Sequence, residues 1–410
     1  MFKLLEEIMY QDLEKSFSKM TKRGKKSAIR ELLKLTNKPG LISFAGGLPA
    51  PCTFPSEELL EVTTDVLRNE SKLALQYGTT EGDDLLREQL TKRYQQAGLP
   101  ITKENLVITT SSQQALDFLG RVFIDPGDKI IVELPSYLGG LQAFGAFGAD
   151  LVGIKSDESG MCPVLLEKKL AELKNNGEKP KFIYVIPDFQ NPSGITMPES
   201  RRKEIIEIAH KYEILIVEDS PYRELRFEGT EQKMIYQLDD LGTTITLGTF
   251  SKIFVPGFRI GWVIAHPDIV DKFVTTKQSV DLCTPAFVQR IAARYMEKGY
   301  FEKNLKSTIK LYGHKKKVMM ECFDKYMPDY VKWTNPEGGL FLFVYLPEHM
   351  DAQKLFLKAV ENNVAFVVGQ VFHCDGSGTN TMRINFSFCD DELIIDGVQR
   401  LATAIKEYKE

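Results

Sequence analysis

Lys252 stands in residues 245–264, ITLGTFSKIFVPGFRIGWVI, where a short apolar run (245–247) leads into Gly248-Thr249-Phe250-Ser251-Lys252. Arg259 follows the lysine by seven residues, and a second apolar run, 260–265, comes next. A lysine at the end of a buried strand is a poor core residue and a good covalent anchor. Partly apolar surroundings disfavour its charged form, and the neutral amine is a nucleophile for an aldehyde. Thr249 and Ser251 offer neutral donors just before it and Arg259 a planar cation just after it, the set that a phosphate favours. One cofactor carries both an aldehyde and a phosphate: pyridoxal 5′-phosphate (PLP). The bland alternative is a strand–loop–strand with incidental polar residues, and the neighbouring elements weigh against it.

Those elements alternate. Apolar runs stand at 106–109, 130–132, 151–154, 182–186, 214–217, 245–247 and 260–264, and helical patterns separate most of them, at 113–123, 136–147, 164–174 and 199–211. Continuous apolar strands joined by helices predict an α/β architecture with a mostly parallel, seven-stranded sheet between helices. In such sheets ligands sit beyond the carboxyl ends of the strands. The first run ends in Thr110-Ser111-Ser112-Gln113-Gln114 at a helix start, where hydroxyls and free N–H groups make an anion site. The run 182–186 ends in Pro187-Asp188-Phe189-Gln190-Asn191-Pro192-Ser193-Gly194, the run 214–217 in Glu218-Asp219-Ser220-Pro221-Tyr222, and the run 245–247 in the lysine loop. Each segment alone reads more readily as a cap or a turn. Their agreement on one edge does not.

The flanking segments are less eloquent. Residues 1–40 read as an amphipathic arm with a basic run at 22–26, then a serine-capped helix from Ser27 that contains Arg30 and stops near Asn37-Lys38-Pro39-Gly40. LISFAGGLPAPCTFP (41–55) is a proline-stiffened strap whose Gly46-Gly47 permits close backbone approach. Two helices within 56–98 flank a Gly/Thr loop holding Tyr77, a loop anchor or a binding residue. Beyond 266 come helices at 268–280, 285–297 and about 301–326, then short strands and a closing helix at 391–406 that make a smaller α+β unit. Arg383 lies within an alternating apolar strand, MRINFSF. A buried arginine needs a partner, either a neighbouring acid or the carboxylate of a ligand.

Composition excludes several classes. A net charge of −4 with 43% apolar and 26% charged residues over 410 positions is an ordinary globular balance, with no basicity that would suggest nucleic acid. No apolar run approaches the ~20 residues of a membrane span, and the N-terminus lacks the apolar centre of a signal peptide. Six scattered cysteines without a CxxC pair and five histidines without ligand spacing imply free thiols, a cytoplasmic location and no metal.

Read together, SAIRELLKLT, LISFAGGLPAP, LQYGTTEG, TTSSQQALD, PSYLGG, FQNPSG, VEDSPYREL, GTFSKIFVPGFRIGW, NPEGGLF and MRINFS resemble the PLP-dependent aminotransferases of fold type I. More narrowly they resemble the 2-aminoadipate (LysN-type) and kynurenine/aminoadipate group. The resemblance implies an N-terminal arm and strap (1–60) packed with the small domain, a large PLP-binding domain (61–300) and a small C-terminal α+β domain (301–410). It implies that Lys252 anchors the cofactor, that Asp219 pairs with the ring nitrogen, and that Asn191 and Tyr222 bond the ring oxygen while Tyr137 stacks on the ring. Thr249, Ser251, Arg259, Ser112 and Gln113 would hold the phosphate, with Tyr77 reaching across a homodimer interface to the partner's site. Arg383 would clamp the substrate α-carboxylate, Gly47 would face the substrate, and Arg30 would meet a side-chain carboxylate. The expected reaction moves an amino group from 2-aminoadipate, glutamate or a broader aromatic and aliphatic set to 2-oxoglutarate. A β-lyase or decarboxylase on the same fold, or a non-catalytic regulatory module, is the alternative. Two departures stand out: Thr249 where the group usually has serine, and Asp188, whose charge is expected to affect substrate choice.

Overall fold

The computed structural model describes residues 15–23 and 40–408; the expected helix from Ser27, with Arg30, lies outside them. Strands are numbered along the chain. β1 (Ile42–Ser43) belongs to the strap. β2 (Leu106–Thr109), β3 (Lys129–Leu134), β4 (Asp150–Asp157), β5 (Gly160–Met161), β6 (Phe182–Val185), β7 (Leu215–Asp219), β8 (Thr244–Thr249) and β9 (Gly261–Ile264) form one large sheet in the order β2-β9-β8-β7-β6-β3-β4-β5. The seven expected strands are all present. The eighth, β5, is only two residues long, folded back on β4 through a turn in which Gly160 has φ +92°, and it is too short to leave a hydrophobic pattern.

Pairing is parallel from β8 through β7, β6 and β3 to β4, while β9 runs antiparallel to both its neighbours. Both faces are covered, which explains why the strands read as continuous apolar runs. Ile130, Val132, Phe182 and Tyr184 pack into one core with the helix Ser111–Phe123. The intervening Ile131, Ile183 and Val185 pack on the other face with the helices Pro163–Asn175 and Glu199–Tyr212. This alternation leaves the strand ends, not the faces, for chemistry.

A second, antiparallel sheet, of order β10-β11-β14-β13, comprises β10 (Lys332–Trp333), β11 (Phe341–Tyr345), β13 (Val367–Val368) and β14 (Thr381–Asn385). The helices Tyr300–Tyr326 and Asp391–Lys406 back it with a separate apolar core that includes Ile42 and Phe44 of the strap. β1 pairs in parallel with β12 (Val364–Ala365), which ties the strap to this layer and carries its carbonyl groups towards the large sheet. All six cysteines are free thiols. No described helix is long and apolar enough to cross a membrane.

Candidate active site

A cavity of ≈ 260 Å³ opens at the carboxyl ends of β2, β6, β7 and β8. Ser112, Gln113, Tyr137, Asn191, Asp219, Tyr222, Thr249, Ser251, Lys252 and Arg259 all line it, so segments up to 147 residues apart in sequence meet at one edge.

One corner is built for an anion. Arg259 donates from Nη2 to the Ser111 hydroxyl at 2.6 Å. Ser111 opens its helix with φ +66°, and Arg259 itself sits at φ +53°, so two non-glycine residues hold left-handed backbone where they meet. A Cβ on Gly261 would lie 2.4 Å from the Ser112 nitrogen, and only glycine lets β9 pass so close beneath that helix start. The Thr249 hydroxyl donates to the Ile260 carbonyl at 3.0 Å, accepts from the Ser251 N–H at 3.1 Å and lies 2.9 Å from the Ser251 hydroxyl. A helix N-terminus, hydroxyls and a guanidinium converge there, as phosphate recognition requires.

Asp219 forms the floor. It is buried, and the Tyr184 hydroxyl donates to its Oδ2 at 2.7 Å. Its Oδ1 is buried with no hydrogen-bond partner. Burial pushes this carboxyl up to about 6, and the Tyr184 hydrogen bond pulls against the rise. An orphaned carboxylate oxygen at a cavity floor asks for a donor from whatever fills the cavity, and the N–H of a protonated pyridine ring is such a donor.

Lys252 reaches in from the loop after β8. Burial first, then the charges of Arg383 and Arg259, bring its amine down to about 8. Its Nζ donates to the Gly47 carbonyl of the strap at 2.8 Å. Arg383, on β14, and Gly47 do not line this cavity themselves; each touches a residue that does, Arg383 through Asn191 and Gly47 through Lys252. Arg383 Nη1 donates to Asn191 Oδ1 at 2.8 Å and its Nη2 to the Ala45 carbonyl at 2.9 Å, while its Nε is buried without a partner. Phe341 and Phe372 lie against the guanidinium, 4.1 and 5.1 Å from its carbon to their ring centres. No acid pairs with Arg383 among the described residues, which removes the internal ion pair as its reason for being there. Burial brings even this guanidinium down to about 10. Asn191 Nδ2 donates to the Tyr222 hydroxyl at 3.2 Å, completing a chain from Arg383 through Asn191 to Tyr222. Tyr137 and Gln113 close the remaining side, 3.5 Å apart at their polar ends.

One expectation ends differently. Asp188 does not lend charge to the cavity: Arg202 holds it in two hydrogen bonds of 2.7 and 3.2 Å, and Arg223 adds a third at 3.2 Å. Its charge is neutralised in the interior. Tyr77 lies outside the cavity, 81% exposed. Arg30 falls outside the described residues. Ser111 and Tyr184, by contrast, were not foreseen. Ser111 was visible only as one more hydroxyl in TTSSQQ, and Tyr184 reads as an ordinary aromatic within the apolar strand FIYV.

The family model for aminotransferases of class I and II matches residues 48–401. The chain belongs to this family. The aminotransferase is 49% identical to the aromatic-amino-acid aminotransferase 1 of Thermococcus litoralis over 400 residues, 97% of this chain and 95% of that one. Its fold superposes with a TM-score of 0.94 on kynurenine aminotransferase from Pyrococcus horikoshii, solved in complex with PMP, KYN and KYA, at 46% identity over 97% of this chain and 99% of that one. The α-aminoadipate aminotransferase LysN from Thermus thermophilus, solved with N-(5′-phosphopyridoxyl)-L-leucine, superposes with a TM-score of 0.89 at 38% identity, covering 96% and 98% of the two chains. The enzyme is a PLP-dependent aminotransferase of fold type I. Its cavity suits that cofactor: an anion corner, a buried orphan carboxylate oxygen and an amine lowered towards neutrality lie around one small space.

Proposed function

We propose that the enzyme transfers an amino group between an L-amino acid of a broad set, namely 2-aminoadipate, glutamate and aromatic or aliphatic donors, and 2-oxoglutarate, the two substrates using one site in turn. One observation carries this reading: the buried Arg383 guanidinium, without an acid of its own and with an unpartnered Nε, is a socket for an α-carboxylate. The relatives' substrates, aromatic amino acids, kynurenine and α-aminoadipate, support the breadth.

In this reading Lys252 would hold the cofactor, and its amine would serve as the base and acid for the substrate's α-proton. Bound PLP supplies the electron sink for the bond that breaks. Asp219 keeps the ring nitrogen protonated, Asn191 and Tyr222 bond the ring oxygen, and Tyr137 stacks on the ring. Ser112, Gln113, Thr249, Ser251 and Arg259 hold the phosphate, and Gly47 faces the substrate. The catalytic unit is a homodimer in which Tyr77 completes the partner's phosphate site; its exposure beside exposed Leu73 and Leu75 supports that face as an interface. The proposed boundaries near 60 and 300 are supported by the separate core behind the small sheet, although Phe301, Leu305 and Tyr312 of the helix at the second boundary pack into the large core.

Arg30 is the proposed partner of a second substrate carboxylate. A panel of amino donors with 2-oxoglutarate tests the range, and Arg30→Ala compared on acidic and apolar donors tests the residue. Acidic donors should lose far more; equal losses on both would remove Arg30 from the reading. Carbon dioxide or pyruvate released without an oxo-acid acceptor would replace transfer with lyase or decarboxylase chemistry.

A further inference from the structure

Glu133 is a buried acid near the end of β3 that no part of this chemistry uses. It is 2% exposed, and no cation pairs with it among the described residues. What it holds is a turn. Its Oε2 accepts from the Ile186 N–H at 2.9 Å and from Gln190 Nε2 at 3.3 Å. Gln190 is the keystone of that turn: its Nε2 also donates to the Pro135 carbonyl at 2.7 Å, its Oε1 accepts from the Ser193 N–H at 2.8 Å, and its backbone N–H reaches the Ile195 carbonyl at 2.9 Å. The next residue is Asn191, the link between Arg383 and Tyr222.

The other shoulder of the turn is held independently. Arg202 donates to the Pro187 and Met197 carbonyls at 3.1 and 2.9 Å and grips Asp188. Loss of Glu133 therefore frees one side of the turn and leaves the other anchored, so the expected consequence is a shifted Asn191 and not an unfolded chain. A displacement well under the length of a bond is enough to disturb a preorganised clamp.

We propose that Glu133 is a positioning residue for the substrate carboxylate, setting Asn191, and through it Arg383, by its hold on Ile186 and Gln190. This rests on the role given above to Asn191 and Arg383. Burial pushes the Glu133 carboxyl up to about 8, against the pull of the same two hydrogen bonds. A glutamine amide keeps an acceptor oxygen of the same shape for Ile186 and Gln190 without a charge to bury.

The test uses holoenzyme and glutarate, which has two carboxylates and no amine or oxo group to react. Its dissociation constant is read from the change in cofactor absorbance, beside KM and kcat for a good amino donor. Glu133→Gln should bind glutarate within about twofold of the parent. Glu133→Leu should bind it roughly tenfold more weakly, the loss of about one hydrogen bond's worth of orientation, with KM raised more than kcat is lowered. Asn191→Ala should weaken glutarate at least as much. Should the leucine variant fail to fold, Gln190→Ala breaks the same link and carries the same expectation. Parental glutarate binding in a folded Glu133→Leu or Gln190→Ala, beside a weakened Asn191→Ala, overturns the positioning role alone. So does Glu133→Gln failing as badly as Glu133→Leu. Parental binding in Asn191→Ala instead overturns the reading of Asn191 on which the inference stands.

Discussion

Asp188 and Asp219 sit at the same edge of the same sheet, 1% and 2% exposed, in opposite surroundings. Asp188 is gripped by Arg202 and Arg223, with Arg226 3.9 Å away. Asp219 has one neutral tyrosine hydroxyl and an oxygen with nothing. The cations divide the same way. Arg202, with no exposed surface, spends its donors on Asp188 and on the carbonyls of Pro187, Met197 and Lys233. Arg383 keeps an unpartnered Nε and has no acid among the described residues. Burial alone does not distinguish these residues; completeness of partners does. In these two pairs, the buried charge that meets an opposite charge from the fold belongs to the fold, while the one left without it is held ready for a ligand.

The largest effect tests the anchor at the centre of the incomplete set. Lys252→Ala should abolish turnover and the visible absorbance of the lysine–cofactor linkage; a band that persists would name another lysine.

Asp219→Asn and Asp188→Ala should then separate the two aspartates by sign. With Asp219→Asn, turnover should fall by several orders of magnitude while the apoprotein gains stability. The carboxyl titrates at about 6 folded against 3.8 as its ordinary value. Between those values the folded chain keeps a proton that the unfolded chain has released, so this group's contribution declines as pH rises through the window. The amide escapes that decline, and at pH 8 the variant should be more stable by roughly 3 kcal/mol, read by denaturant unfolding of apoprotein at pH 4 and pH 8. No gain at pH 8 would mean that the orphan oxygen is not desolvated.

Asp188→Ala should do the reverse. It takes from Arg202 the acid it hydrogen-bonds, leaving Glu218 at 3.9 Å as its nearest other acid, and should cost about 3 kcal/mol of stability, with a far smaller loss of turnover than Asp219→Asn at temperatures where the chain stays folded. A stable but inactive Asp188→Ala would move Asp188 from the fold to the chemistry.

The smallest effect is one of pH. With Lys252 brought down to about 8, the rate at which apoprotein captures PLP should rise with pH and level off above that value. A profile still climbing near pH 10 would return this amine to its ordinary, solvated range.

Much of this was legible in one dimension because local chemistry and edge topology coincide. Strand β8 running into Thr249, Ser251 and Lys252, a hydroxyl-rich helix start after β2, and polar endings on β6 and β7 could be read as one edge before any fold was known. The strand rule places such endings together whatever the distances between them in sequence. The short β5 hairpin escaped because two residues carry no period. Tyr184 escaped because alternation within a doubly covered strand does not say which aromatic meets an acid on the neighbouring strand.

The residue types at the strand ends, and so the class of chemistry, were therefore determined by sequence alone. Which charges are spent and which are kept was decided only in three dimensions. Asp188 looked like a site residue until Arg202, from a helix fourteen residues on, and Arg223, from beyond β7, closed around it. Arg383 looked open to an internal partner until Asn191, the Ala45 carbonyl of the strap and two phenylalanine rings surrounded it with no acid among the described residues. Partner completeness is a property of packing between distant segments, and no spacing along the chain encodes it.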